Sequence, residues 1–349
     1  MIEYNVAVVG AGAVGKEMLR VLAERRFPAK SIVVLARSAR TLTVDGRDYE
    51  VRVTTPAAFE GVDVVLFAGT EGEKGAAITF GPEAVRRGAV IIDNGGDFRM
   101  RPDVPLVVPE VNAEALKRHN GIIANPNCST VQLVLALKPL HDAARVTRVF
   151  VATYQAVSGA GGAAVEELQD QNVGLAAGRA VAATGPVFPV QIAANVIPQI
   201  GGFDEAGYTS EEMKLVHETH KIMGDDTLRI TPLIAARVPV FVGHSEAVYV
   251  ETEQPLTPAE ARALWQSAPG VAVLDETDGD DPYRAYPTPL FAAGKDTTFI
   301  GRIRQDLDNP NGLNFWVVSD NLRKGAATNA VQIAESLVEQ DLLRKRNGN

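Results

Sequence analysis

Up to Ala124 the chain carries short apolar runs that do not alternate with polar residues, at 6–9, 32–36, 62–68, 89–92, 106–108 and 122–124. A strand with one wet face alternates. Strands covered on both faces read as continuous apolar runs, and parallel sheets are where such strands occur. Val14, Met18, Val21 and Leu22 lie between the first two runs at helical spacing. Strand–helix alternation of this kind predicts an N-terminal, Rossmann-like, doubly wound parallel sheet of the α/β class.

The texture changes after Cys128. Longer strand-like segments appear at 146–157, 228–236, 240–251, 297–304 and 313–319, with alternation in Val248-Tyr249-Val250-Glu251-Thr252. Helical patterns cover 162–172, 210–223 and 258–267, and a last one runs over 324–343. These predict a second, α+β domain whose mixed sheet carries helices on one face. A length of 349 residues also calls for two domains. Residues 174–207 are rich in Gly and Pro yet apolar, which fits a packed loop or a subunit contact. The last residues, 344–349, are expected to fray.

Composition excludes some functions. The net charge of −9 gives no basic face for nucleic acid. No apolar run reaches the roughly 18 residues of a membrane span. The first residues lack the basic region of a signal peptide. A single cysteine rules out internal disulfides and fits the cytoplasm. One cysteine and scattered histidines do not make a metal site, so no metal is expected.

Gly10-Ala11-Gly12-Ala13-Val14-Gly15 follows the first strand and opens a helix. Glycines there permit a tight turn and close approach of backbone to a pyrophosphate at the helix N-terminus. The candidate cofactor contacts are Gly10, Gly12, Ala13, Val14 and Gly15, with a tight turn that holds no ligand as the alternative. The second strand ends in Arg37-Ser38-Ala39-Arg40, where an NAD-binding fold usually places an acidic residue. Arg37 and Ser38 therefore point to the 2′-phosphate of NADP, with a solvated basic turn as the alternative.

Asn125-Pro126-Asn127-Cys128-Ser129-Thr130 leads into an apolar helical segment. First-turn N–H groups and the helix dipole favour an anion, so a thiol there ionises more easily than free cysteine. That describes an activated nucleophile, and a small buried hydrophobe is the competing reading. Gln155 ends a strand and can orient a carbonyl or a water. The glycine-rich backbone from Ser158 and Gly159 onward can lie against a nicotinamide; a polar strand end and an ordinary turn are the alternative for this stretch. His244 can serve a thiol as acid/base partner or be a structural residue. Arg237 is a candidate carboxylate clamp or a surface salt bridge. Arg99 lies in a loop beyond a strand, where ligands bind. Glu211 and Lys214 share a helix face, either as a surface pair or as one charge each for an ammonium and a phosphate.

Together these segments resemble aspartate-semialdehyde dehydrogenase of the bacterial type. The similarity runs from about residue 4 to 340. It is carried by residues 125–130, by Tyr154-Gln155-Ala156-Val157-Ser158-Gly159 and by Glu211-Glu212-Met213-Lys214. Arg237-Val238-Pro239-Val240, Gly243-His244-Ser245-Glu246 and Asp320-Asn321-Leu322-Arg323-Lys324-Gly325-Ala326-Ala327 complete it. The resemblance implies that Cys128 is the nucleophile, Gln155 orients the intermediate and His244 is the acid/base catalyst. It implies that Arg237 binds the substrate carboxylate, Glu211 its ammonium, and Arg99, Lys214 and Asn127 the phosphate. It also implies that the segment around Asn321 returns to the cofactor. The expected division is 1–127, completed by a C-terminal helix over 322–349, as the NADP-binding domain, and 128–321 for catalysis and dimerisation. The expected reaction is NADPH-dependent reductive dephosphorylation of L-aspartyl-4-phosphate through a Cys128 thioester, in a homodimer or homotetramer.

Two segments depart from the family pattern. The glycine loop is one residue shorter than usual, and Asp93-Asn94-Gly95-Gly96-Asp97-Phe98-Arg99 has partly the flavour of N-acetyl-γ-glutamyl-phosphate reductase. That enzyme is the alternative activity. A cysteine hydrolase and a non-catalytic NADP-binding paralogue are the alternatives of other classes.

Overall fold

A computed structural model describes residues 2–69, 75–276, 278 and 281–343. The chain divides into two compact units, Met1–Asn127 with Ala326–Asn349, and Cys128–Gly325.

The first unit holds a seven-stranded sheet of order β3-β4-β2-β1-β5-β6-β7. Its strands are β1 (Tyr4–Val9), β2 (Ala29–Ala36), β3 (Arg40–Val44), β4 (Arg47–Val53), β5 (Val64–Phe67), β6 (Val90–Asp93) and β7 (Ile122–Ala124). All pairings are parallel except β3 with β4. The central strands are covered on both faces, which is why their sequences do not alternate. Val6, Val8, Leu66 and Ile92 join Met18, Leu19 and Leu22 of α1 (Ala13–Glu24) in one core. Their neighbours face the other way: Phe67 meets the ring of Phe59, and Ile91 lies under Gly81 of α2 (Ala76–Arg86).

Two local readings change. Residues 106–108 form no strand: Leu106 makes a single bridge to Ala124, the Val108 N–H turns to Asn112 Oδ1, and Pro109 has no N–H to carry the ladder on. The turn expected after residue 36 ends within three residues, because Arg40 already begins a hairpin. Asp45 and Gly46 at its tip have φ of 48° and 78°, as a type I′ turn requires.

The second unit holds a six-stranded mixed sheet of order β11-β12-β13-β10-β8-β9. Its strands are β8 (Val146–Gln155), β9 (Arg229–Arg237), β10 (His244–Thr252), β11 (Val271–Val273), β12 (Thr298–Gln305) and β13 (Gly312–Ser319). One face packs on α3 (Cys128–Ala144), α4 (Gly162–Ala176) follows β8, and α5 (Ser210–Met223) and α6 (Pro258–Ser267) complete the helices used below. Leu133, Leu137 and Leu140 of α3, Leu215 of α5 and Trp265 of α6 meet Val149, Val151, Val248, Val250, Phe315 and Val317. The other face carries the ring pairs Tyr154–Trp316 and Phe150–Tyr249. The apolar stretch 174–207 is a packed loop: Phe188, Ile192 and Ile197 are buried against Val157, Ala164 and Leu168. Glu167 accepts from the Val187 N–H, and Gln171 from those of Ile192 and Ala193. Val190, Val196 and Phe203 of the same stretch are exposed.

The final helical segment begins as a π-helical turn, Arg323–Ala327, and continues as α7 (Thr328–Glu339). Val331, Ile333 and Leu337 of α7 enter the core of the first unit. Residues 344–349 of the expected C-terminal helix lie outside the described residues. Among the described residues no helix is long and apolar enough to cross a membrane.

Candidate active site

In the first unit the glycine loop links β1 to α1. The Gly10 N–H donates to Leu35 O, and Gly10 has a φ of 111° that favours glycine. A Cβ on Gly15 would stand 1.9 Å from Gly10 O, so only glycine lets the helix start there. A Cβ on Gly12 would meet open space, the side from which a pyrophosphate can approach the backbone. No side chain caps α1, and the N–H groups of Ala13, Val14 and Gly15 precede the first helical bond, Lys16 N to Gly12 O. Such an end suits an anion. Arg37 and Ser38 follow β2 and are exposed, and Arg40 donates to Ser38. These residues fit a dinucleotide.

The loop after β6 holds Arg99, which is buried and donates to Asn125 O at 3.0 Å and to Asn94 O at 2.8 Å. This guanidinium ties together the two loops at the ends of β6 and β7. Asn127 is buried as well.

The second unit gathers the other candidates. Cys128 opens α3 and is half-buried. A Cβ on Gly325 would lie 2.8 Å from Cys128 Cβ, so glycine at 325 leaves the room that the thiol's backbone occupies. Gln155 ends β8, and His244 begins β10 after Gly243, whose φ is 99°. Glu211 is in the first turn of α5, which a capping box between Thr209 and Glu212 fixes. Glu212 also accepts from the Ala235 N–H on β9, so the cap sets the aim of Glu211 relative to the sheet. Arg237 ends β9 and exchanges backbone hydrogen bonds with Ile197 of the apolar loop.

These side chains converge. Gln155 Nε2 donates to Glu211 Oε1 at 3.0 Å and stands 3.5 Å from His244 Nε2. Lys214 Nζ donates to the other Glu211 oxygen at 3.2 Å. Arg237 is buried and donates to Ala156 O at 2.7 Å, which removes the surface salt-bridge reading. Burial lowers its pKa, while the charges of Glu211 and Cys128 pull it up. A Cβ on Gly159 would be 2.8 Å from Arg237 Nη1 and 3.2 Å from His244 Nε2, so this glycine closes one side of the cluster. Ser158 and Asn321 are hydrogen-bonded to each other, and Asn321 Oδ1 also accepts from Gly243 N. Asn321 thereby braces the loop at Ser158 and the turn that carries His244.

His244 is fully buried. Burial, and after it the charge of Arg237, holds its pKa down to about 3 against the pull of Glu211. It is a neutral imidazole near pH 7. The Ala156 N–H donates to its Nδ1 at 3.0 Å, which places the ring hydrogen on Nε2.

Sequence reasoning missed Glu246, two residues along the same face of β10. It is fully buried with the amide of Gln132 beside it, and among the described residues neither group has a hydrogen-bond partner of good geometry. Burial pushes Glu246 from 4.5 up to about 8, with Gln132 nearby opposing the shift. The unfolded chain binds fewer protons between those values, so stability falls as pH rises from about 4.5 to about 8. Glu246→Gln is expected to melt a few degrees above the parent at pH 8. The gap should close at pH 5, and calorimetry at both values checks it; an equal gap would mean Glu246 does not titrate in this range.

Comparison with known proteins follows the same division. A family model described as "Semialdehyde dehydrogenase, NAD binding domain" matches residues 5–119, and "Semialdehyde dehydrogenase, dimerisation domain" matches 137–324. Aspartate-semialdehyde dehydrogenase of Legionella pneumophila is 51% identical, over 97% of this chain and 97% of that protein. The Aquifex aeolicus enzyme of the same name is 47% identical, over 97% and 99%. The solved structure of aspartate semialdehyde dehydrogenase II from Vibrio cholerae complexed with ASA superposes with a TM-score of 0.90 at 44% identity, covering 97% of this chain and 99% of that one. The chain belongs to the aspartate-semialdehyde dehydrogenase family.

Proposed function

We propose that this oxidoreductase reversibly converts L-aspartyl-4-phosphate to L-aspartate 4-semialdehyde and phosphate with NADPH, through a thioester on Cys128. The observation that carries the reading is the meeting of Gln155, Glu211, Arg237 and His244 in the unit that Cys128 opens. The thiolate of Cys128 attacks the acyl carbon, the C–S bond forms and the C–O bond to phosphate breaks. When bound, the reduced nicotinamide supplies the hydride that takes the thioester carbon to the aldehyde level. The C–S bond then breaks and returns the thiolate.

His244, the residue given the acid/base role, acts from its neutral form as a hydrogen-bond donor. Its Nε2–H supports the oxyanion of each tetrahedral stage, as does the amide of Gln155. Arg237 binds the α-carboxylate with its planar fork, and Glu211 takes the ammonium. Arg99, Lys214 and Asn127 bind the phosphate. Residues 1–127 with the C-terminal segment hold the cofactor, and 128–321 serve catalysis and dimerisation. Gly10, Gly12, Ala13, Val14 and Gly15 carry the pyrophosphate, and Ser158, Gly159 and Asn321 border the nicotinamide. Arg37 and Ser38, with no carboxylate among residues 37–40, support NADP over NAD. No step in this scheme needs a metal. The exposed apolar residues Val196, Phe203 and Leu233 support a homodimer built on the second unit. The lone cysteine supports a cytoplasmic enzyme.

The loop 93–99 keeps N-acetyl-γ-glutamyl-phosphate reductase as the second reading. One assay separates them: phosphate-dependent NADP reduction is expected with aspartate semialdehyde and absent with N-acetylglutamate semialdehyde. The reverse preference would overturn the aspartyl reading.

A further inference from the structure

Thr153 lies on β8 two residues before Gln155, so the two side chains share a face of the strand. It is fully buried, and its Oγ1 donates to Gln155 Oε1 at 3.0 Å. At the other end of the amide, Nε2 donates to Glu211. An amide turned by half a rotation would set Oε1 against that carboxylate, acceptor against acceptor. The 3.5 Å approach to His244 supplies no anchor, because with hydrogen on His244 Nε2 it is donor against donor. Both groups therefore have N–H bonds suited to one incoming oxygen.

Glu211 is an anchor for Gln155 only until substrate arrives, since its carboxylate is the proposed ammonium partner. Thr153 remains. We propose that Thr153 is a positioning residue for the reaction, its hydroxyl tethering the Gln155 amide in place beside His244 once Glu211 is engaged by substrate. This rests on the role given to Gln155 above.

The test measures kcat, KM, NADP affinity and melting temperature for Thr153→Val, Thr153→Ala and Thr153→Ser, alone and with Gln155→Ala. The valine and alanine variants are expected to lose on the order of ten-fold in kcat, the worth of one buried hydrogen bond. NADP affinity should not change, and serine should restore the rate. In the Gln155→Ala background Thr153→Val should cost nothing further. Parental kcat in Thr153→Val and Thr153→Ala, with Gln155→Ala impaired, overturns the proposal alone. An equal loss in both backgrounds shows a merely structural role and also overturns it. Parental turnover in Gln155→Ala itself overturns the site reading, and this proposal with it.

Discussion

Cys128→Ala is expected to lose at least ~10⁴-fold in turnover while its affinity for NADP stays at the parental value. The reason is chemical. Without the sulfur no thioester forms, and Arg237, on which the Cys128 charge acts, is a cation that cannot attack in its place. The variant should fold, because removing a half-buried thiol leaves the packing of α3 through Leu133, Leu137 and Leu140 untouched. Steady-state kinetics and a fluorescence titration with NADP check both halves. Retained turnover would refute the covalent route. Lost cofactor affinity would mean the substitution damaged more than the nucleophile.

Arg237→Lys is expected to raise the KM for aspartate semialdehyde roughly ten- to a hundred-fold, the worth of a charged hydrogen bond. An ammonium is a point donor and cannot span both oxygens of a carboxylate as a planar guanidinium does. The lysine would also lose the bond from Nη1 to Ala156 O, which joins the end of β9 to the backbone beside His244. The effect on kcat should be smaller than that on KM, since the carboxylate keeps its charge throughout the reaction. Initial-rate kinetics separate the two, and an unchanged KM would remove Arg237 from the substrate site.

Much of the fold was legible because its physics is local. Both faces of β1, β5 and β6 are covered, and their sequences say so by failing to alternate. On β10 the alternation of Val248 to Thr252 matches the alternation of buried and half-buried positions. Asp45-Gly46 is a strong signal for the turn of the β3–β4 hairpin, but the charges of Arg37 and Arg40 mask that signal in the sequence. Residues 106–108 were read as a strand because apolar content outweighed their flanking prolines.

The site was legible in its residue types and not in its arrangement. Gln155, Glu211, Arg237 and His244 lie up to 89 residues apart along the chain, and only strand pairing and a helix cap bring them into contact. Nothing local marks His244 as fully buried, so its low pKa followed from tertiary packing alone. The buried carboxyl of Glu246 and the hydroxyl of Thr153 look in the sequence like ordinary polar residues of a strand.

A covalent acyl group on one sulfur is what the whole scheme turns on. Mixing the enzyme with L-aspartyl-4-phosphate without NADPH, then quenching in acid and weighing the intact protein, tests it most directly. The expected result is a mass gain of one aspartyl group, mapped to the peptide that holds Cys128, with one phosphate released per site. Phosphate release with no adduct on that peptide would contradict it.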